Sequence, residues 1–300
     1  MKQRQKENKS HSIHLPDQPQ TVKPPKFENN CGTKCWLNSL LQLFCLIFED
    51  KTITEYHLMS KFMKFIHDYK ENKDTNSAEP FRLFLTKFDQ RLRRGQQDPM
   101  DFFNIYSSHK SSDYSPLLEP LKINIKQYIY CLRNREHYSV NNFPPIFFIE
   151  VDRPTRFDGL KQVIENFFHG GETVEEWICP LKGCGIGGIK KHQISNEKPE
   201  FLLVRVARWS YDNTSGLRSK NCDSIIVPET VEVSDILVQS RTVYDSVGVI
   251  NHLGPSFESG HYITEIKMFT KWWRCNDDKL SSTSFYQLDD QGYIFLFKRR

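Results

Sequence analysis

Three groups of residues in this 300-residue chain have the types and spacing to do chemistry. The first is Cys35, which stands where the loop Asn30-Cys31-Gly32-Thr33-Lys34 gives way to the apolar run Trp36 to Phe48. A thiol at a helix start faces unpaired backbone N–H groups and the positive end of the helix. Both favour the thiolate, and Lys34 adds a neighbouring cation. The second is His261, in Ser259-Gly260-His261-Tyr262, where a glycine precedes a histidine that opens an alternating strand. The third is Asn276-Asp277, closing Trp272-Trp273-Arg274-Cys275. An antiparallel pair joined through residues 267–271 would bring Asn276 to the imidazole and fix its tautomer, leaving the other ring nitrogen for the thiol. The chemistry would be nucleophilic attack by sulfur with proton transfer by imidazole. Taken singly, each group also has a plain structural reading: an inert core thiol, a hairpin histidine, a turn aspartate.

The elements that must position these groups follow from periodicity. Apolar residues at 37, 40, 41, 44, 47 and 48 have the spacing of a buried helix face. A second helix is expected over Tyr56 to Tyr69, then a polar loop from Glu71 to Glu79. Asp98-Pro99-Met100-Asp101 has the order of a helix start, with Asp98 as N-cap and Pro99 in the first turn. From about residue 121 the pattern changes to short β-branched or aromatic runs: 146–151, 201–206, 243–250, 262–266 and 293–297. Helices first and strands later imply an α+β fold rather than a doubly wound sheet. Gly183 to Gly188 has neither the lysine nor the preceding strand of a phosphate loop.

Composition excludes several classes. Apolar residues at 38%, aromatics at 13% and charge at 26% make a globular chain with an aromatic core, not a coiled coil or a low-complexity polymer. The apolar run Leu43 to Phe48 is far shorter than the ~18 residues of a membrane span, so none is expected. The net charge of +4 lies in residues 1–26, which hold six basic and two acidic side chains, leaving 35 of each sign elsewhere. A neutral body argues against nucleic acid as a partner. Residues 1–29 read as a basic, disordered leader without an apolar signal segment, and a reducing cytoplasmic or nuclear setting follows. The eight cysteines are then thiols, a nucleophile or metal ligands rather than disulfides.

Together and in this order, the motifs resemble the ubiquitin-specific proteases, cysteine peptidases of papain-like α+β fold. Asn30 to Phe44 resembles the family's cysteine box, and Gln96-Gln97-Asp98-Pro99-Met100-Asp101-Phe102 is similar to its Gln-Gln-Asp block. Val249 to Gly254, Ser259 to Tyr262, Trp272 to Asp277 and Gly292 to Phe297 resemble its histidine box and last strand. The resemblance implies Cys35 as nucleophile, His261 as general base and acid, and Asn276 as the group orienting the histidine. It further implies Asn30 as oxyanion donor and Asp277 as a second polar support. The implied activity is thiol-dependent hydrolysis of the bond after the C-terminal glycine of ubiquitin or a ubiquitin-like modifier, by a monomer needing no cofactor. The alternative is a catalytically silent ubiquitin-binding scaffold of the same fold. The implied domain, 30–300, divides into a helical thumb (about 30–120), β-rich fingers (121–200) and a β palm (201–300). Gln97 and Asp98 would lie near the substrate channel by analogy, although a helix cap alone explains Asp98.

Departures are expected to matter in two places. Lys34 and Thr33 stand where the family has threonine and asparagine or alanine, and Met100 and Asp101 replace histidine and glutamate. The family's fingers commonly hold zinc on two Cys-x-x-Cys pairs. Here one pair is reduced to Cys131, and the other is stretched to Cys179-x-x-x-x-Cys184. No Cys₄ site can form, His137 and Cys222 being the substitutes at hand, and fingers held by packing without metal are expected. Trp177, Phe167 and Phe168 read as packing residues, and His252 is a rival base lacking a following strand alternation.

Overall fold

The computed structural model describes residues 23–49, 68, 77–86, 89–108, 118–152, 159–169, 171–181, 183–194, 198–216, 218–235, 240–256, 259–285 and 288–300. The helix expected over Tyr56 to Tyr69, apart from Asp68, lies outside them, as do residues 1–22 of the leader. Helix α1 spans Cys35–Ile47, and all of its residues are buried. Helices α2 (Glu79–Leu85) and α3 (Pro99–Ser108) follow, with a 3₁₀ turn at Gln90–Arg93 between them. As the sequence order implied, Asp98 caps α3, its Oδ1 accepting the Met100 N–H at 2.8 Å.

Strands β1 (Ile125–Cys131), β2 (Tyr138–Asn142), β4 (Glu172–Ile178) and β5 (Ile186–Ile194) form an antiparallel sheet in the order β2-β1-β5-β4. Between them in sequence come β3 (Ile149–Asp152) and helix α4 (Leu160–His169). The main sheet runs β14-β13-β12-β11-β16-β6-β3. Its further members are β6 (Phe201–Ala207), β11 (Ser240–Leu253), β12 (His261–Met268), β13 (Lys271–Asn276), β14 (Lys279–Thr283) and β16 (Gly292–Arg299), with β10 (Thr230–Asp235) paired to β11. Short strands β7 (Trp209–Tyr211) and β8 (Arg218–Lys220) pair apart from it, as do β9 (Ile225–Ile226) and β15 (Leu288–Asp289).

Strands β6 and β16 read as continuous apolar runs because both faces of the sheet are covered. Tyr293, Ile294 and Leu296 face one core, shared with α1 and α3, while Phe295 and Phe297 face the other, shared with α4. Each such side chain removed from water contributes about 1.5–3 kcal/mol. Helix α1 lies against β12, where the Thr264 hydroxyl donates to the Ser39 carbonyl at 3.0 Å. Gly248 permits the close approach: a Cβ there would sit 2.8 Å from Leu43 Cδ2. Among the described residues no helix is long and apolar enough to cross a membrane.

The packed region begins before residue 30. Phe27 is wholly buried, and its N–H donates to the Asp277 carbonyl at 3.2 Å. The leader assigned to residues 1–29 is therefore too long by at least the stretch from Pro24 to Asn29, whose two prolines and Phe27 are buried.

Candidate active site

Cys35 is the first residue of α1 and is buried. His261 is the first residue of β12 and half-buried. Its side chain hydrogen-bonds Cys35, and its Nε2 lies 2.7 Å from Asn276 Oδ1 at the end of β13. The β12–β13 hairpin supplies this last contact, pairing Met268 with Lys271 and Thr264 with Cys275. The bond to Cys35 raises the His261 pKa most. Burial opposes it, Asn276 and nearby Asp277 add to it, and the value reaches about 9. The arrangement favours imidazolium facing sulfur, with the amide oxygen of Asn276 accepting from the opposite nitrogen.

Asp277 has φ 52°, a left-handed backbone that Asp tolerates better than most residues. Its side chain turns from solvent to the loop ahead of Cys35. Oδ1 accepts from Asn38 Nδ2 at 2.7 Å and Oδ2 from Asn29 Nδ2 at 2.9 Å. Oδ2 is 3.9 Å from His261 Nε2. Asn29 Oδ1 in turn accepts the Lys34 N–H at 2.9 Å, so one amide links the palm carboxylate to the residue before the nucleophile.

Asn30 is placed otherwise than the resemblance implied. It is exposed, and its amide donates to Glu28 Oε2 at 3.0 Å rather than facing Cys35. The cause is local: Gly32 N–H closes a turn on the Asn29 carbonyl at 3.0 Å, which directs Asn29 inward and Asn30 outward. The side-chain amide that does approach the sulfur is that of Gln96, whose Nε2 is 3.7 Å from Cys35 Sγ and donates to the Gly260 carbonyl at 2.7 Å. Gln97 points elsewhere, donating to the carbonyls of Arg91 and Arg94. Asp98 serves its cap and accepts the Tyr293 hydroxyl at 2.6 Å, while burial pushes its carboxyl upward.

Lys34 is held by Glu79 at 3.1 Å, and Glu79 also pairs with Arg82 at 2.8 Å. Burial works against the charged carboxyl of Glu79, but hydrogen bonds from Arg82 and Lys34 keep its pKa below the usual value. Lys34 is thus tied to α2 and shares the Glu79 carboxylate with Arg82. His252, the rival base, is a core residue: 1% exposed, tilted against Tyr262 and edge-on to Trp209, with its pKa lowered to about 4 by burial.

The tips of the fingers hairpins hold a second cluster. The sulfurs of Cys131, Cys179 and Cys184 lie within 4.8 Å of one another. His137 Nδ1 is 3.0 Å from Cys184 Sγ and 4.0 Å from Cys179 Sγ, and its Nε2 is 3.1 Å from Asn134 Nδ2. The backbone N–H groups of Arg133 and Asn134 point at the Cys131 sulfur. Three thiols converge from two hairpin tips with an imidazole beside two of them, the donor types of a Cys₃His structural zinc site. The Cys₄ pattern is broken, and His137 stands beside Cys184 and Cys179, while Cys222 is exposed. Trp177 packs against this cluster, Phe168 is buried, and Phe167 stacks on His192 at 4.9 Å, as expected of packing residues.

Sequence reasoning missed the inward roles of Asn29, Asn38 and Gln96. Gln96 carried a signal in its Gln-Gln-Asp block, and the sequence offered His137 as a substitute ligand beside the fingers cysteines.

The model of the ubiquitin carboxyl-terminal hydrolase family matches residues 28–297. The probable ubiquitin carboxyl-terminal hydrolase 16 of Schizosaccharomyces pombe is 21% identical over 90% of this chain and 66% of its own length. The Homo sapiens Ubl carboxyl-terminal hydrolase 18 is 23% identical over 86% of this chain and 77% of its own length. Among solved structures, that of the SAGA Ubp8/Sgf11/Sus1/Sgf73 DUB module bound to ubiquitin aldehyde superimposes with a TM-score of 0.72 at 18% identity, covering 93% of this chain and 70% of that one. At that identity the likeness establishes the fold.

Proposed function

The chain belongs to the ubiquitin carboxyl-terminal hydrolase family, and from that premise we propose that it is a thiol-dependent deubiquitinase. It cleaves the isopeptide or peptide bond after the C-terminal glycine of ubiquitin or a ubiquitin-like modifier. The single observation that carries this reading is His261 bridging Cys35 and Asn276 at the start of a buried helix. The names of the relatives, and the ubiquitin aldehyde bound to the similar structure, supply the substrate class.

In the first step Cys35 Sγ attacks the glycine carbonyl carbon, forming the S–C bond while the C=O π pair moves to oxygen. Collapse restores the carbonyl and breaks the C–N bond, and the leaving amine takes the proton held by His261. The resulting thioester is attacked by water that gives one proton to His261; collapse breaks the S–C bond, the sulfur leaves as thiolate facing the imidazolium, and the product acid loses its proton to solvent as carboxylate. Asn276 holds the ring in the orientation both steps need. Asp277 ties the hairpin to the nucleophile loop through Asn29 and Asn38. Residues up to about 120 serve as thumb, 121–200 as fingers and 201–300 as palm, working in the cytoplasm or nucleus.

In the fingers, Cys131, Cys179, Cys184 and His137 would hold a zinc ion. When bound, zinc cross-links the β1–β2 and β4–β5 hairpin tips and takes no part in the reaction.

The test is a ubiquitin-based electrophilic probe. Wild type is labelled and Cys35→Ala is not; a folded wild type that binds ubiquitin without labelling would instead be the silent scaffold.

A further inference from the structure

We propose that Gln96 is a catalytic residue of this site, donating its side-chain amide to the oxyanion that forms when Cys35 attacks. The inference rests on the deubiquitinase reading and adds to it the group that receives the developing charge.

The position requires a donor. As the S–C bond forms, negative charge passes from sulfur to the former carbonyl oxygen, two bonds away. A preorganised N–H about 2.7–3.1 Å from that oxygen stabilises the transition state more than the ground state. Helix α1 supplies one candidate, the backbone N–H of Cys35, which as the first of the helix has no intrahelical acceptor. A side-chain donor must lie close enough to sulfur for an oxygen on the attacked carbon to fall between them. Gln96 Nε2 stands 3.7 Å from Sγ. Asn30, five residues before Cys35, is exposed and spends its amide on Glu28.

Gln96 is also held in place. One amide proton is fixed by the Gly260 carbonyl at 2.7 Å, immediately before His261, and the other is aimed at the sulfur. The amide therefore spans the cleft from the loop ahead of α3 to the loop ahead of β12, without competing with Asn276 for the imidazole. As charge shifts from sulfur to oxygen, the second N–H needs only a small reorientation to follow it. Gly260 suits the crossing, since a Cβ there would sit 2.3 Å from His252 Nε2 and 2.5 Å from the Leu253 carbonyl. The loop can take this path only with glycine.

Steady-state hydrolysis of a ubiquitin–aminocoumarin conjugate tests the assignment, together with inhibition by ubiquitin aldehyde and binding of free ubiquitin. In Gln96→Ala and Gln96→Glu, kcat should fall about 10²–10³-fold with KM little changed, the glutamate variant because it offers no donor. Affinity for ubiquitin aldehyde, whose adduct carries the tetrahedral oxygen, should fall far more than affinity for free ubiquitin; a residue that merely tied down the Gly260 loop would weaken both alike. Asn30→Ala should stay within a few-fold of wild type. Full kcat in Gln96→Ala, loss confined to KM, or the large kcat loss appearing in Asn30→Ala instead would each overturn the proposal. Absence of turnover and of probe labelling in wild type would overturn the deubiquitinase reading itself, so the two failures are distinguishable.

Discussion

Replacing Asp277 by Asn keeps the shape and the tolerance for φ 52° but exchanges one carboxylate oxygen for a donor. The native carboxylate accepts from Asn38 at 2.7 Å and from Asn29 at 2.9 Å, with 13% of its side chain exposed. Hydrogen bonds to a charged acceptor contribute about 1.5–3 kcal/mol each, neutral ones about 0.5–1.5. The new amide can keep one partner at neutral strength and must face the other donor to donor. Asn38 is 2% exposed, and its remaining acceptors, the carbonyls of Phe27 and Glu28, lie at 3.4 and 3.5 Å. A net destabilisation of about 2–4 kcal/mol follows, or roughly 4–8 °C in Tm at ~2 °C per kcal/mol for a chain of this size. Thermal and urea unfolding in the Cys35→Ala background measure it, and Asn29→Ala, which removes both the bond to the carboxylate and the one from the Lys34 N–H, should show a comparable loss. A Tm unchanged within about 1 °C would show that the carboxylate does not clamp the nucleophile loop.

Two further outcomes follow from the geometry. With the His261 pKa raised to about 9, the imidazolium needed by the leaving amine persists through neutral pH, and kcat/KM should fall on an alkaline limb near 9. By the same sign, the stability that this proton contributes is full below about 6.5 and lost as pH rises through about 9. NMR titration of the ring should find a lower pKa in Cys35→Ala, where the largest raising influence is gone, and an unmoved value would contradict the pairing. For the fingers cluster, metal analysis should find about one zinc per chain, retained in His137→Cys and lost in Cys184→Ser, with a lower Tm after chelation. Folded protein purified with no zinc, and with a Tm indifferent to added zinc, would dismiss the site.

The elements legible from sequence were those whose periodicity the core enforces. Helix α1 and strands β6, β11, β12 and β16 lie where expected, because α1 buries a face of helical period and β6 and β16 are continuous apolar runs covered on both faces. The strand expected at 146–151 is present only as 149–152, preceded by a bridge from Ile146 to Ile123. The fingers strands escaped notice for the opposite reason. Strand β4 is mostly exposed, and β1 mixes buried and half-buried positions without alternation, so neither shows a clean period of two. At the site, Cys35, His261 and Asn276 were readable because each sits at the boundary of a periodic element. Which of two adjacent asparagines turns inward was not, since one turn hydrogen bond at Gly32 decides it.

The order of strands in the main sheet has a consequence for how the molecule is made. Strand β16 lies between β11 and β6 at the middle of the sheet, yet follows every other strand in sequence. Until it is synthesised, β11 and β6 share no edge. The sheet is completed only when this late strand inserts between two earlier ones. Non-local closure of this kind is slow, and the open edges of β6 and β11 must stay soluble until it occurs.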